Sequence, residues 1–325
     1  MFRQNRFRVF VVALFIFALG LSTTAPAPAA TVQKKSKKTK KALPAGTPVM
    51  WREPEDIAAR DLFLGSGGEA MKPDLSRVTL IEKVEGGFSE KYRVRDAAGR
   101  EWVAKVSREA QSETAAVRLL WAVGYVTELV YLEPSVNIAG KGTFENVRFE
   151  ARPKGVKRLD EWTWEKNPFA GKRQLQGLKV MMLLFNNWDV KDENNKILHV
   201  KGDGQGELHY IVSDLGATFG KIGSGPLQKL KRSRNNPKDY ADSKFVDHVH
   251  KDHVFFHYGG KNQGIFEDIS VNDVKWIAAQ LSRLSEQQIS DAFRAANYNQ
   301  EEIGILSNAF RARINELTNL PPSES

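Results

Sequence analysis

The order of apolar runs and polar punctuation between residues 175 and 220 constrains this chain more than any other feature. A strongly apolar, helix-like run at 175–185 leads into Asn186-Asn187-Trp188-Asp189-Val190-Lys191-Asp192-Glu193-Asn194-Asn195. Residues 197–200 and 208–212 then flank a Gly-rich turn, the pattern of a β-hairpin. The second strand runs into Asp214-Leu215-Gly216, 20 residues past Asn194. Two carboxylates and a side-chain amide delivered by such elements suit divalent-metal phosphate chemistry. Asp189 would sit by an attacking hydroxyl, Asn194 would offer an amide oxygen to a metal, and Asp214 would bridge metal and phosphates.

The upstream half contains the parts that phosphate binding needs. Gly86-Gly87-Phe88-Ser89-Glu90-Lys91-Tyr92-Arg93-Val94 reads as a turn into a strand, and Asp96-Ala97-Ala98-Gly99 as a second turn. Trp102-Val103-Ala104-Lys105-Val106 alternates as a strand does and carries a lysine near its end. A helix follows closely, with Ser107 as its expected N-cap and Gly124 just past its end. Glu109 and Glu113 are four apart, so they share a helical face and either is placed to pair with Lys105. Glu113 is favoured because it opens the more apolar stretch.

Together these motifs resemble the catalytic centre of the protein-kinase-like superfamily. Asp189 and Asn194 have the catalytic-loop spacing, with Lys191 where that loop often carries a lysine. Asp214-Leu215-Gly216 stands for Asp-Phe-Gly, and Val103-Ala104-Lys105-Val106 is close to Val-Ala-Ile-Lys. The resemblance spans roughly residues 80–220. There is no His-Arg-Asp, no Ala-Pro-Glu, and Gly86-Gly87 departs from Gly-x-Gly-x-x-Gly. Those absences suit a resemblance to the divergent phosphatidylinositol-kinase-like, HipA-like and secretory-pathway groups. It also resembles secreted bacterial kinase-like proteins in Arg60-Asp61-Leu62-Phe63-Leu64-Gly65 and in Trp162-Thr163-Trp164 with Asn167-Pro168-Phe169.

The resemblance implies an α+β, two-lobed protein-kinase-like fold, with a small antiparallel-sheet N-lobe at 51–152 and a mainly helical C-lobe at 153–320. It implies ATP with Mg²⁺ or Mn²⁺ as cofactors. Gly86 and Gly87 would cover the phosphates, Lys105 would orient them, and Glu113 would hold Lys105. Asn194 and Asp214 would carry the metal, Asp189 would position or deprotonate the acceptor hydroxyl, and Lys191 would neutralise the transferred group. The acceptor stays open among protein, lipid, glycan and small molecule. The competing expectation is a catalytically inactive, kinase-shaped binding module in the cell envelope, favoured by the scarcity of ATP outside the cytoplasm.

Arg3, Arg6 and Arg8 precede an apolar run of 13 residues at 9–21, and Ala-x-Ala sites follow at 25–30. Thirteen is short for a membrane span, which takes about 20. The expectation is a signal peptide, 1–29, cleaved after Ala29 or Ala30, and a secreted or periplasmic domain; an uncleaved anchor is the alternative. Lys34, Lys35, Lys37, Lys38, Lys40 and Lys41 complete nine basic residues before Ala42, with no acidic residue among them. Subtracting those nine from the net charge of +9 leaves the rest formally neutral, which excludes a nucleic-acid-binding face. Residues 30–50 read as a disordered Lys/Pro-rich linker. Its lysines also suit contact with anionic lipid headgroups or cell-wall polymers. With no cysteine, the domain rests on its core, and 41% of the chain is apolar.

Elsewhere, residues 129–134 and 147–151 read as strands leading to a hinge near Arg152-Pro153-Lys154-Gly155. Trp162, Trp164 and Phe169 read as packing between the lobes. His248, His250, His253 and His257 lack the Glu of His-Glu-x-x-His, and Phe255, Phe256 and Tyr258 point to a packed strand instead of a zinc site. From Ser270 the pattern is helical, with capping boxes at Ser285/Gln288 and Asn299/Glu302, and a short tail at 321–325.

Overall fold

The structure is a computed structural model that describes residues 42–86, 89–202, 204–223 and 231–321. The expected signal peptide, most of the linker, Gly87 and all of the tail but Pro321 lie outside these residues. The element order is β1 (Thr47–Val49), β2 (Val78–Lys83), β3 (Glu90–Arg95), β4 (Glu101–Val106), α1 (Ala110–Ala122), β5 (Val130–Ala139), β6 (Gly142–Ala151) and β7 (Val156–Arg158). Then come α2 (Arg173–Leu184), β8 (Asn195–Val200), β9 (Glu207–Val212), α3 (Pro237–Ala241), β10 (Val246–His250), β11 (His253–Phe256), α4 (Val271–Leu281), α5 (Glu286–Arg294) and α6 (Gln300–Thr318).

The N-lobe sheet runs in the order β2-β3-β4-β6-β5. Its pairings are antiparallel as expected but for one: β2 and β5 close it into a barrel through a parallel seam, Val78 against Ile138. Strand alternation explains what each face carries. Trp102 and Ala104 of β4 are fully buried in the barrel interior with Phe149, Val94 and Tyr131. Lys105, on the opposite face, is left for α1. The turn before β4 is held by Asp96, whose carboxylate accepts from Arg100 N (2.8 Å) and Trp102 Nε1 (3.0 Å).

A second sheet, β1-β9-β8-β7, floors the region below the hinge. β1 corrects the linker expected through residue 50. Residues 47–49 pair in parallel with 207–209, and Met50 is buried, because β9 would otherwise present an unpaired edge. The tryptophans also differ from expectation. Trp162 and Trp164 pack edge to face within the C-lobe, and Trp162 Nε1 donates to Ile211 O (2.9 Å) on β9.

The main core is continuous from α1 through α2 and the helices α4–α6, while the barrel has its own core. α2 is buried around nearly its whole circumference, as its uninterrupted apolar run requires. It ends at Asn186, which adopts a left-handed φ of +54° and is buried. Asn tolerates that conformation better than most residues. Its amide donates to Gly220 O (2.8 Å) and accepts from Arg313 Nη1 (2.9 Å).

Ser270, Ser285 and Asn299 each close a capping box at the start of α4, α5 and α6. The histidine segment forms the hairpin β10–β11, where His248 stacks on Phe255 at 4.7 Å, and the described residues contain no histidine metal cluster.

Arg313 of α6 is buried, and it donates to Leu184 O (2.9 Å), Asn186 Oδ1 and Tyr240 O (3.0 Å). Its loss leaves several buried acceptors unpaired. Arg313→Met is expected to lower the unfolding free energy by roughly 3 kcal/mol, read by chemical denaturation.

Candidate active site

Lys105 lies on β4 between Lys91 of β3 and Arg148 of β6, with 6% of its surface exposed. Its ammonium bonds Glu113 Oε1 and also Glu109 Oε2 at 3.1 Å. The two alternatives read from the sequence therefore both hold: Glu113 is the buried partner and Glu109 the outer one. Ser107 does not cap α1 by accepting from inside the helix; its Oγ accepts from Glu109 N (3.2 Å), and Glu109 itself occupies the N-cap position.

α1 is tied to the Asp-Leu-Gly turn by Ser112 Oγ, which donates to Gly216 O at 3.2 Å. Gly216 is required by close approach, since a Cβ there would lie 2.7 Å from Glu109 Cδ. In consequence one carboxylate oxygen each of Glu109, Glu113 and Asp214 lie within 4.8 Å of one another. Asp214 is joined to Asn194 through the backbone: Ser213 N and Asp214 N both donate to Asn194 O, at 2.8 and 3.2 Å. Asn194 is buried, and its Nδ2 donates to Asp189 O (2.7 Å). That leaves Oδ1 without a hydrogen-bond partner among the described residues. Carboxylates plus an amide oxygen form a donor set for a hard divalent cation.

Asp189 has both carboxylate oxygens beside cations, Lys191 at 3.2 Å and Lys261 at 2.6 Å. Lys261 was not singled out in the sequence. The signal available was Gly259-Gly260-Lys261, because Gly260 lets that loop lie against the Trp188–Asp189 turn. A Cβ at Gly260 would fall 2.8 Å from Trp188 Cα, and Lys261 N donates to Trp188 O (2.9 Å). Arg234 was also missed; it pairs with Glu109 and stacks over Trp188 at 4.7 Å. A cleft of about 930 Å³ lies between Ser89, Glu109, Trp188, Arg234 and Lys261. Of the two expected loop glycines, Gly86 sits at φ +96° in the turn after β2.

A buried charge network backs the lysine. Arg148, 3% exposed, faces Glu113 (3.5 Å), Glu128 (3.4 Å) and Glu150 (3.1 Å). Arg158 of β7 pairs with Glu128 and with Glu150 (3.1 Å) and reaches Ser213, the residue before Asp214. Burial raises the Glu113 pKa against the pull of Arg148 and Lys105. Burial also opposes the charged forms of Glu150 and Asp214. In Glu150 it is outweighed by Arg148, Arg152 and Arg158, and in Asp214 by Lys105 and the Gly216 N–H, so both are held below the ordinary carboxylate value. Glu128 moves up, through burial and its neighbour Glu150.

The fold is protein-kinase-like. The N-lobe sheet order, the lysine–glutamate pair across β4 and α1, and the loop-and-hairpin delivery of Asp189, Asn194 and Asp214 are its features in this chain. No protein-family model matches the chain. No curated protein matches it in sequence. Among solved structures, it is similar to the Helicobacter pylori proinflammatory kinase CtkA, with 11% identity and a TM-score of 0.47, over 76% of this chain and 96% of that one. Hydra Fam20 with sugar follows at 12% identity and a TM-score of 0.35, over 76% and 88%. The Rio2 kinase–ADP/Mg²⁺–phosphoaspartate complex from Chaetomium thermophilum has 12% identity and a TM-score of 0.33, over 76% and 74%.

Because the folded-state pKa of Glu150 is depressed, its contribution is present above the ordinary value of 4.5 and lost as the pH falls below it. Glu150→Gln is expected to be less stable than wild type at pH 7. The gap should narrow in denaturation curves taken at successively lower pH beneath that value.

Proposed function

We propose that this chain is an exported, metal-dependent phosphotransferase that moves the γ-phosphate of ATP to an acceptor hydroxyl. The observation that carries this reading is the run of contacts from Lys105 through Glu113 to Asp214, and from Asp214 through Asn194 to Asp189. Lys105, held by Glu113 and Glu109, would meet the phosphates. Asp214 and the free Oδ1 of Asn194 would hold Mg²⁺ or Mn²⁺, with Glu109 close enough to join them. Bound there, the metal would neutralise charge developing on the phosphates. Asp189 would align the acceptor hydroxyl and take its proton, and Lys191 and Lys261 would keep that carboxylate oriented. The basic tract at 34–41 suits a tether near an anionic envelope surface.

One observation favours the non-catalytic binding module. Each Asp189 oxygen is occupied by a lysine ammonium, which an acceptor hydroxyl would have to displace to reach it. Mutagenesis separates the two readings. Asp214→Ala is expected to abolish the rise in melting temperature that ATP with Mg²⁺ or Mn²⁺ produces by mass action. Asp189→Asn is expected to retain that shift and to lose phosphoryl transfer or autophosphorylation by about a hundredfold or more. Undiminished transfer in Asp189→Asn would remove its assignment as base. No metal-dependent shift in the wild type would leave the binding module.

A further inference from the structure

On the other side of α1 from the Lys105 cleft lies a second cavity, of about 570 Å³. Glu113 and Arg118 are on the same helix, five residues and so about 140° apart around its axis. Arg118 lines this cavity and is only 2% exposed. Among the described residues no carboxylate lies within ion-pair distance of its guanidinium, none of its nitrogens has a hydrogen-bond acceptor, and Nε is buried without a partner. Its nearest support is the Tyr131 ring, 5.3 Å from Cζ, with a weaker field from Asp61. Burial pulls its pKa down to about 10, a measure of how poorly the charge is compensated. An isolated buried ion is costly unless something pairs with it.

The surrounding chain is shaped to admit this guanidinium. Gly65 has a φ of +73°, and a Cβ there would fall 1.9 Å from Arg118 Nη1. The next turn is fastened by Tyr131 Oη, which donates to Gly68 O (2.7 Å). This gives a local purpose to the Arg60–Gly65 motif, which the phosphate site does not use. Around the charge, Phe63, Leu64, Leu132 and Pro134 supply an apolar wall. Lys72 and Arg294 add two further cations against one carboxyl group, Glu133, which is buried and has no ion-pair partner of its own among the described residues. Arg294 is already engaged by Asp291 at 2.8 Å, so the buried Arg118, with the exposed Lys72 beside it, is left to meet a ligand.

We propose that this cavity binds a small organic anion, with its oxyanion head on Arg118 and its hydrocarbon part against Phe63, Leu64, Leu132 and Pro134. A carboxylate and a phosphate ester share the required chemistry. The site is separate from the phosphoryl-transfer cleft and does not depend on that activity.

The test is a thermal-shift and calorimetric titration of the purified chain with hexanoate, hexyl phosphate, inorganic phosphate and 1-hexanol. At least one of the two amphiphilic anions is expected to bind and raise the melting temperature, with hexanol and inorganic phosphate markedly weaker. The stronger of the two identifies the head group. Arg118→Met should bind that anion about tenfold or more weakly. Phe63→Glu places a like charge at a residue already 39% exposed, so the fold is spared, and it should weaken the same anion. Absence of binding by both amphiphilic anions, or binding that survives unchanged in Phe63→Glu and in folded Arg118→Met, overturns the proposal.

Discussion

Lys105 cannot hold a charge at 6% exposure without counter-charge, and most of the molecule is arranged around supplying it. The barrel fixes β4 so that Trp102 and Ala104 face inward and Lys105 outward. α1 packs into the main core and against α5 as well as against β5 and β6, so Glu113 arrives from an element that touches both lobes. The pair is therefore also a joint between the two cores. A misplaced barrel or a loosened α1 would leave a buried lysine or a buried glutamate alone, a cost of several kcal/mol.

The same logic extends behind the pair. Lys105, Arg148 and Arg158 alternate with Glu113, Glu128 and Glu150 in a run of contacts that ends on Ser213, next to Asp214. Arg158 belongs to β7 beyond the hinge, so the chain of charges crosses from one lobe to the other. Fixed dipoles and charges of this kind need no rearrangement when a phosphate charge arrives, which is the condition for electrostatic preorganisation. Asp189 is held by a separate device: the left-handed Asn186, the carbonyls gathered by Arg313, and the glycine loop that brings Lys261.

Much of this was legible in the primary structure. Alternation marked β4 and the β8–β9 hairpin, capping boxes marked α5 and α6, and the spacing of Asp189, Asn194 and Asp214 marked three residues that the fold links through backbone and side-chain hydrogen bonds. These signals are local, since each depends on hydrogen bonds or periodicities within a few residues. Lys261, Arg234 and Arg148 were not legible. Each acts on a residue between 35 and 125 positions away, and a lysine or arginine in isolation looks like any solvated cation. The strand at 47–49 was hidden for the same reason. Three residues after a proline-rich stretch carry no strand signal until β9 offers an edge to pair with.

The amino-acid sequence by itself determined the class of fold, the loop that bears Asp189 and Asn194, and the turn at Asp214, because local backbone preference and apolar periodicity specify them. Only the tertiary structure decided that Lys105 has two glutamate partners, that Arg148 and Arg158 tie them across the hinge, and that Arg118 is buried without an ion-pair partner among the described residues. Pairing and burial are properties of distance in space, and the chain reaches those distances only when the barrel and the helical core have closed on α1.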